Sequence, residues 1–150
     1  MPDFLDYNIR NGRTYMYFQG KPLYAFGHGL SYTSFTYNSM QLSKKNLKKD
    51  DVIKVSVSVT NTGKRDGEEV VQLYVKTINS AIQQPIKALK SFQRVALKAG
   101  ETKIVDLILE AKSLEYWNSN KQQFELEKGQ IEIQVGGSSE AIFLTQKIVI

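Results

Sequence analysis

The sequence predicts an all-β fold, an antiparallel sandwich preceded by an extended aromatic arm, on three observations. Apolar residues recur with a period of two through most of the chain, short polar stretches bearing glycine separate the runs, and no window sustains the 3.6-residue period of an amphipathic helix. The 150 residues fit one domain of ordinary size, large enough to bury a core without disulfides or a structural metal. We divide the chain into an arm over residues 1–37 and a sandwich over residues 38–150.

The arm comes first. Ten of the chain's sixteen aromatic residues fall within residues 1–37, from Phe4 and Tyr7 through Tyr15, Tyr17, Phe18, Tyr24, Phe26, Tyr32 and Phe35 to Tyr37. Gly12, Gly20, Gly27 and Gly29 punctuate them, and neither helical nor strand periodicity is sustained. An extended segment stitched by turns is expected. Its rings must be covered by the domain's own sheet, by a neighbouring domain or by a ligand. Ten aromatics are too many for one small-molecule site, which favours packing against protein.

The strands follow. Val55, Val57 and Val59 alternate with Lys54, Ser56 and Ser58, the pattern of a strand with one dry and one wet face. A polar turn from Asn61 to Gly67 leads to Val71, Leu73 and Val75, with Gln72, Tyr74 and Lys76 on the opposite face. After a loop near Asn79–Pro85, a strand is expected from Leu89 to Leu97. A tight turn at Lys98–Glu101 follows, because Gly100 supplies backbone freedom there. Further strands are expected over Ile104–Leu109, over Ile131–Val135 and over Ile142–Ile150. Ser113–Trp117 reads as a single helical turn between sheets. The chain ends in a strand with no trailing linker, as a C-terminal domain would.

Composition narrows the chemistry. There are no cysteines and one histidine, which removes thiolate metal sites, cysteine nucleophiles and His–His metal pairs. No cofactor or metal site is expected. The net charge of +5 divides into +3 for residues 1–75 and +2 for residues 76–150, an even spread unlike the clustered basic face of a nucleic-acid binder. Lys44, Lys45, Lys48 and Lys49 form the one dense run, followed at once by Asp50 and Asp51, and read as a solvated turn rather than a phosphate grip. No apolar run is long enough for a membrane helix, and the acidic N-terminus lacks the apolar stretch of an export signal. Neither nucleic acid nor membrane is an expected partner.

Four carboxylates are the enzymatic candidates. Glu125 and Glu127 would share a strand face roughly 6.5–7 Å apart, and Glu68 and Glu69 would point to opposite faces. All four read as solvent-side, since nothing apolar surrounds them to split their acidities into acid and base roles. His28 stands between two glycines and reads either as a hydrogen-bonded loop residue or as part of a ligand rim. Gly27-His28-Gly29 lacks the lysine and hydroxyl residue of a phosphate loop, and Ser31, Ser138 and Ser139 lack a nucleophile's elbow. Tyr116 and Trp117 read as a buried plug at one end of the sandwich or as a sugar-stacking platform, with the general burial of tryptophan favouring the plug. No residue is assigned a catalytic role.

The arm's own residues carry a family resemblance. Gly12-Arg13-Thr14-Tyr15-Met16-Tyr17-Phe18 and Pro22-Leu23-Tyr24-Ala25-Phe26-Gly27-His28-Gly29-Leu30-Ser31-Tyr32-Thr33 strongly resemble the segment entering the C-terminal domain of glycoside hydrolase family 3. Val59–Gly63 followed by Gly67–Val75 resembles that domain's central hairpin. Pro85, Leu89, Phe92, Arg94, Val95, Leu97, Gly100 and Glu101 match its next strand and turn, and Gly129 with Val135–Ser139 matches its closing strands. Many members differ at Ala25, His28 and Met16, where they carry proline, tyrosine and a polar residue. The resemblance implies an immunoglobulin- and fibronectin type III-like sandwich. It implies a non-catalytic accessory domain of a retaining, exo-acting β-glucosidase or β-xylosidase, whose catalytic barrel and α/β domains are the partners. In the family the nucleophilic aspartate lies on the barrel and the acid/base glutamate in the α/β domain, and no Ser-Asp pair of the nucleophile motif occurs here. Arg13, Tyr15, Tyr17, Phe18, Tyr24, Phe26 and Tyr32 are then the expected interdomain contacts. His28 and Trp117 are the candidates for a substrate rim, and a β-linked oligosaccharide the possible ligand. An independent carbohydrate-binding module is the alternative function. A periplasmic or extracellular setting follows from the resemblance alone.

Overall fold

A computed structural model describes residues 3–150. Two antiparallel sheets face one another. The first has the order β1-β2-β5, with β1 Phe35–Leu42, β2 Val52–Asn61 and β5 Thr102–Glu110. The second has the order β4-β3-β8-β9, with β3 Gly67–Ile78, β4 Ala88–Leu97, β8 Gln130–Gly136 and β9 Ile142–Val149. A ribbon of β6 Tyr116–Asn118 and β7 Gln123–Glu125 projects from the connection between β5 and β8. The sequence-predicted two-layer sandwich is therefore the observed one.

The period-two pattern explains the layers. Ile53, Val55, Val57 and Val59 of β2 sit opposite Leu109, Leu107, Val105 and Lys103 of β5, so three apolar pairs share the inner face. Leu73 and Val75 of β3 pair with Val135 and Ile133 of β8 on the facing sheet. The apolar members of these pairs, with Val71, Leu97, Ile131 and Ile148, form one buried cluster between the sheets. At about 25 cal/mol per Å2, each fully buried valine or leucine contributes roughly 1.5–3 kcal/mol.

Two sequence-predicted details change. The short helical turn is a 3-10 turn over Ala111–Leu114, and Tyr116 and Trp117 belong to β6 instead. Tyr116 pairs across the ribbon with Glu125 and Trp117 with Phe124, so backbone pairing captures residues that local pattern assigns to a helix. The outer face of β3 is not wet either: Gln72 and Tyr74 are both buried, because the arm lies across them.

One buried polar side chain ties the sheets at the β2–β3 crossover. Asn61 is fully buried, and its Nδ2 donates to the carbonyls of Arg65 and Leu97 at 2.8 and 3.0 Å. Its Oδ1 accepts from Thr33 Oγ1 at 2.6 Å and from Gly63 N at 3.1 Å. The amide thus meets the end of β4, the crossover turn and the end of the arm at once. Asn61→Ala leaves these groups without partners in a dry site, and we expect it to cost about 3 kcal/mol. Urea denaturation checks this, with a lowered midpoint and an unchanged slope as the expected outcome.

Candidate functional site

The arm is anchored to the four-stranded sheet by rings and amides together. Tyr15 stacks on Phe26 with ring centroids 4.0 Å apart and planes within 8°, and meets Tyr74 of β3 edge-on at 6.3 Å. The Tyr15 hydroxyl accepts from Leu89 N at 2.9 Å, and the Met16 carbonyl accepts from Ile86 N at 2.6 Å. Beneath them Tyr74 donates its hydroxyl to Gln72 Oε1 at 2.6 Å, while Gln72 Nε2 donates to the carbonyls of Gly27 and Gly137 at 3.1 and 2.6 Å. Ser139 N donates to the Phe26 carbonyl at 2.8 Å. Gly27 has φ of +78°, and a Cβ there would overlap the Gln72 amide, so backbone sign and close approach both require glycine. Desolvation, followed by the neighbouring Tyr15, pushes the Tyr74 phenol above its ordinary range.

This anchoring divides the predicted interdomain residues. Tyr15 and Tyr17 are half-buried on the domain's own surface, whereas Arg13, Phe18, Tyr24, Phe26 and Tyr32 are exposed. Tyr24 is 71% exposed and Tyr32 92%, and the flanking Leu23 and Leu30 exceed 90%. Between the arm and the β3–β4 loop lies an open groove of about 890 Å3, apolar through Tyr15, Met16, Phe18 and Phe26. His28 is exposed. Its backbone N donates to the Ala25 carbonyl at 3.0 Å, and its ring lies 5.5 Å from Tyr24.

The four glutamates are not alike. Glu68 is exposed and pairs with Arg94 at 3.1 Å. Glu69, Glu125 and Glu127 are half-buried rather than solvent-side, and Glu69 accepts from the Tyr37 hydroxyl at 2.8 Å. Burial raises the Glu69 carboxyl above its usual range, while the bond from Tyr37 pulls the other way. The Tyr37 phenol is itself pushed upward, first by burial and then by Glu69.

Glu125 and Glu127 do not share a strand, because β7 ends at Glu125. Glu125 accepts from Asn118 at 2.7 Å, Lys121 at 2.8 Å and Gln123 at 2.9 Å. Hydrogen bonds from Lys121, Asn118 and Gln123, in that order, hold it down at about 2, the ionised state opposite to that of a general acid. Glu127 closes the loop around residue 80, accepting from Ser80 Oγ at 2.7 Å and Ala81 N at 2.8 Å.

Trp117 is 53% exposed and does not plug the sandwich. It meets Phe124, 60% exposed, edge-on at 5.2 Å across the ribbon. Ser138 and Ser139 are buried structural residues, and Ser138 Oγ accepts from Ala141 N at 3.0 Å. Among the described residues no cluster of three or more His, Asp or Glu is arranged to hold a metal ion. Gln72 and Tyr74 are the site residues that sequence reasoning missed. Their signal was a large aromatic and an amide at alternate positions of a strand face otherwise assigned to water.

His28, Asp66, Glu68, Glu69 and Arg94 line one open cleft beside the arm. A three-stranded sheet packed on a four-stranded one, with an arm anchored across the outer face of the second, defines the class as an immunoglobulin-like sandwich domain. Residues 69–139 match the family model of the fibronectin type III-like domain. The chain is 41% identical over 137 residues to thermostable β-glucosidase B of Acetivibrio thermocellus, which covers 89% of the chain and 18% of that enzyme. It is 38% identical to xylan 1,4-β-xylosidase of Xylanibacter ruminicola, covering 93% of the chain and 16% of the enzyme. The crystal structure of a β-glucosidase from Kluyveromyces marxianus superposes with a TM-score of 0.80 at 38% identity, over 92% of this chain and 16% of that one. The chain therefore carries a fibronectin type III-like domain over residues 69–139 and is similar over most of its length to a small domain within β-glucosidases and β-xylosidases, among them a GH3 β-glucosidase of Bifidobacterium adolescentis. It spans less than a fifth of the length of these relatives.

Two outcomes follow from the geometry. Gln72→Ala removes both carbonyl clasps and the acceptor for Tyr74, so we expect a loss of about 2 kcal/mol. Amide exchange should then accelerate at Leu89 and Ser139, whose N–H groups bond the arm, while the inner β2 and β5 amides stay protected. The Glu69 carboxyl binds its proton more tightly in the folded state than in the unfolded one, so its contribution favours folding at low pH and is lost as pH rises through and above 4.5. Compared with Glu69→Gln, the natural chain is therefore expected to lose stability between pH 4 and pH 7, as followed by thermal unfolding across that range.

Proposed function

We propose that this chain is a non-catalytic accessory domain of a family 3 glycoside hydrolase, a retaining, exo-acting β-glucosidase or β-xylosidase, and that it buttresses the catalytic domains through its aromatic arm. The observation that carries this reading is an apolar surface that is both exposed and fixed. Tyr15, Phe26, Gln72 and Tyr74 pin the arm, so Leu23, Tyr24, Leu30 and Tyr32 are held outward on a firm backing. A preorganised apolar patch loses little conformational freedom on docking. Arg13, Phe18 and Phe26 extend the contact, and Tyr15 and Tyr17 support it from below. The engagement of Glu125 and Glu127 in local hydrogen bonds supports the non-catalytic part.

Limited proteolysis with chymotrypsin tests the docking. The isolated chain should be cut before about residue 35 faster than within the strands, and the cuts should disappear when the barrel and α/β domains of a family 3 β-glucosidase are supplied. Cuts at the exposed Tyr24, Leu30 or Tyr32 that persist unchanged in the presence of those domains would overturn this reading. The pure chain should not hydrolyse aryl β-glucosides or β-xylosides, and hydrolysis abolished by Glu125→Gln or Glu127→Gln would refute the non-catalytic role. The exposed Trp117 and Phe124 favour a second reading, a carbohydrate-binding face on the ribbon. Retardation in gels containing xylan, glucan or cellulose tests it, and its absence on all three removes it.

A further inference from the structure

Two lysine-bearing stretches distant in sequence meet at the end of the sandwich away from the arm. β9 leaves the arm's anchor beside Ser139 and runs to Val149, a span of roughly 25 Å. There the Val149 carbonyl accepts from Leu47 N at 2.9 Å, and Val149 N donates to the Lys45 carbonyl at 3.2 Å. This pairing lays the Lys44–Lys49 segment beside the β6–β7 ribbon. Between them opens a cleft of about 530 Å3, lined by Lys48, Lys49, Lys121 and Lys128 over an apolar floor that includes Leu47 and Phe124. That size is within the roughly 300–1,000 Å3 of small-ligand clefts.

The charge of the cleft is one-sided. Its glutamate, Glu125, is already neutralised by Lys121 at 2.8 Å. Lys48, Lys49 and Lys128 take part in no ion pair among the described residues. An array of unpaired ammonium groups beside an exposed aromatic ring complements a ligand that is anionic at its edge and apolar on its face. A pyranose ring bearing a carboxylate has both features. An acidic peptide answers the lysines and leaves the Phe124 ring without a flat partner.

We propose that this cleft binds an acidic polysaccharide, with uronate carboxylates set against Lys48, Lys49 and Lys128 and a pyranose face set against Phe124. The site goes beyond the buttressing role and uses the opposite end of the domain, so loss of arm docking leaves it untouched.

Affinity electrophoresis of the full chain through gels containing polygalacturonate, its carboxyl-reduced form or polyglutamate provides the test. Retardation is expected with polygalacturonate, weakening as salt is added, and is expected to be absent with the reduced glycan. The triple variant Lys48→Ala, Lys49→Ala, Lys128→Ala should bind about tenfold more weakly. Lys64→Ala, Lys76→Ala, Lys98→Ala, which has the same net charge and changes exposed lysines elsewhere, should bind as the natural chain does. Circular dichroism of both triples reports whether the fold is intact. No retardation by polygalacturonate, equal retardation by polyglutamate, or equal losses in the two triple variants would each overturn the proposal.

Discussion

The outer face of β3 decides how this domain is built. Strands of a two-layer sandwich ordinarily bury one face and leave the other to water, and β2 does so. β3 buries both from Val71 to Val75, because Gln72 and Tyr74 carry the arm. A buried primary amide is costly unless its donors and acceptor are all engaged. Here Nε2 serves two backbone carbonyls from different segments and Oε1 takes the Tyr74 hydroxyl. The polar group therefore specifies where the arm lies, while the Tyr15–Phe26–Tyr74 rings supply the apolar contact that holds it there.

Asn61 repeats this logic at the other junction. Its amide reaches the arm through Thr33, the crossover turn through Gly63 and Arg65, and the end of β4 through Leu97. Both clasps are single side-chain amides whose partners, backbone groups and one hydroxyl each, include segments far apart in sequence. Each joins the arm to groups that the sheets hold in place, so the arm rests on the sandwich. Its outward residues are then presented as a fixed surface, which suits a docking role better than a flexible tail would.

The molecule thus has two unlike ends. At one, the arm carries apolar and aromatic side chains that its own sheet cannot cover. At the other, the β9 terminus gathers lysines around a cleft whose floor includes an aromatic ring. The sheets between them separate the two surfaces, and at the lysine-bearing end Glu125 and Glu127 serve as local acceptors for neighbouring donors.

Much of the fold was legible in the residues. Alternating valines and leucines marked β2, β3, β5 and β8, because period two leaves a strand little choice of which face to bury. Glycine-bearing turns marked where the strands stop, and the arm's motifs pointed to the family. Pattern alone could not say that Tyr116 and Trp117 would pair as a ribbon strand, since three-residue strands carry too little periodicity to be read. Nor could it tell that Gln72 and Tyr74 lie under the arm, that Glu69 is partly dry beneath Tyr37, or that Lys48 and Lys128 border one cleft. Burial on a second face and the meeting of distant charges are properties of the packed chain, set by which segments cover which, and composition along a single strand does not encode that choice.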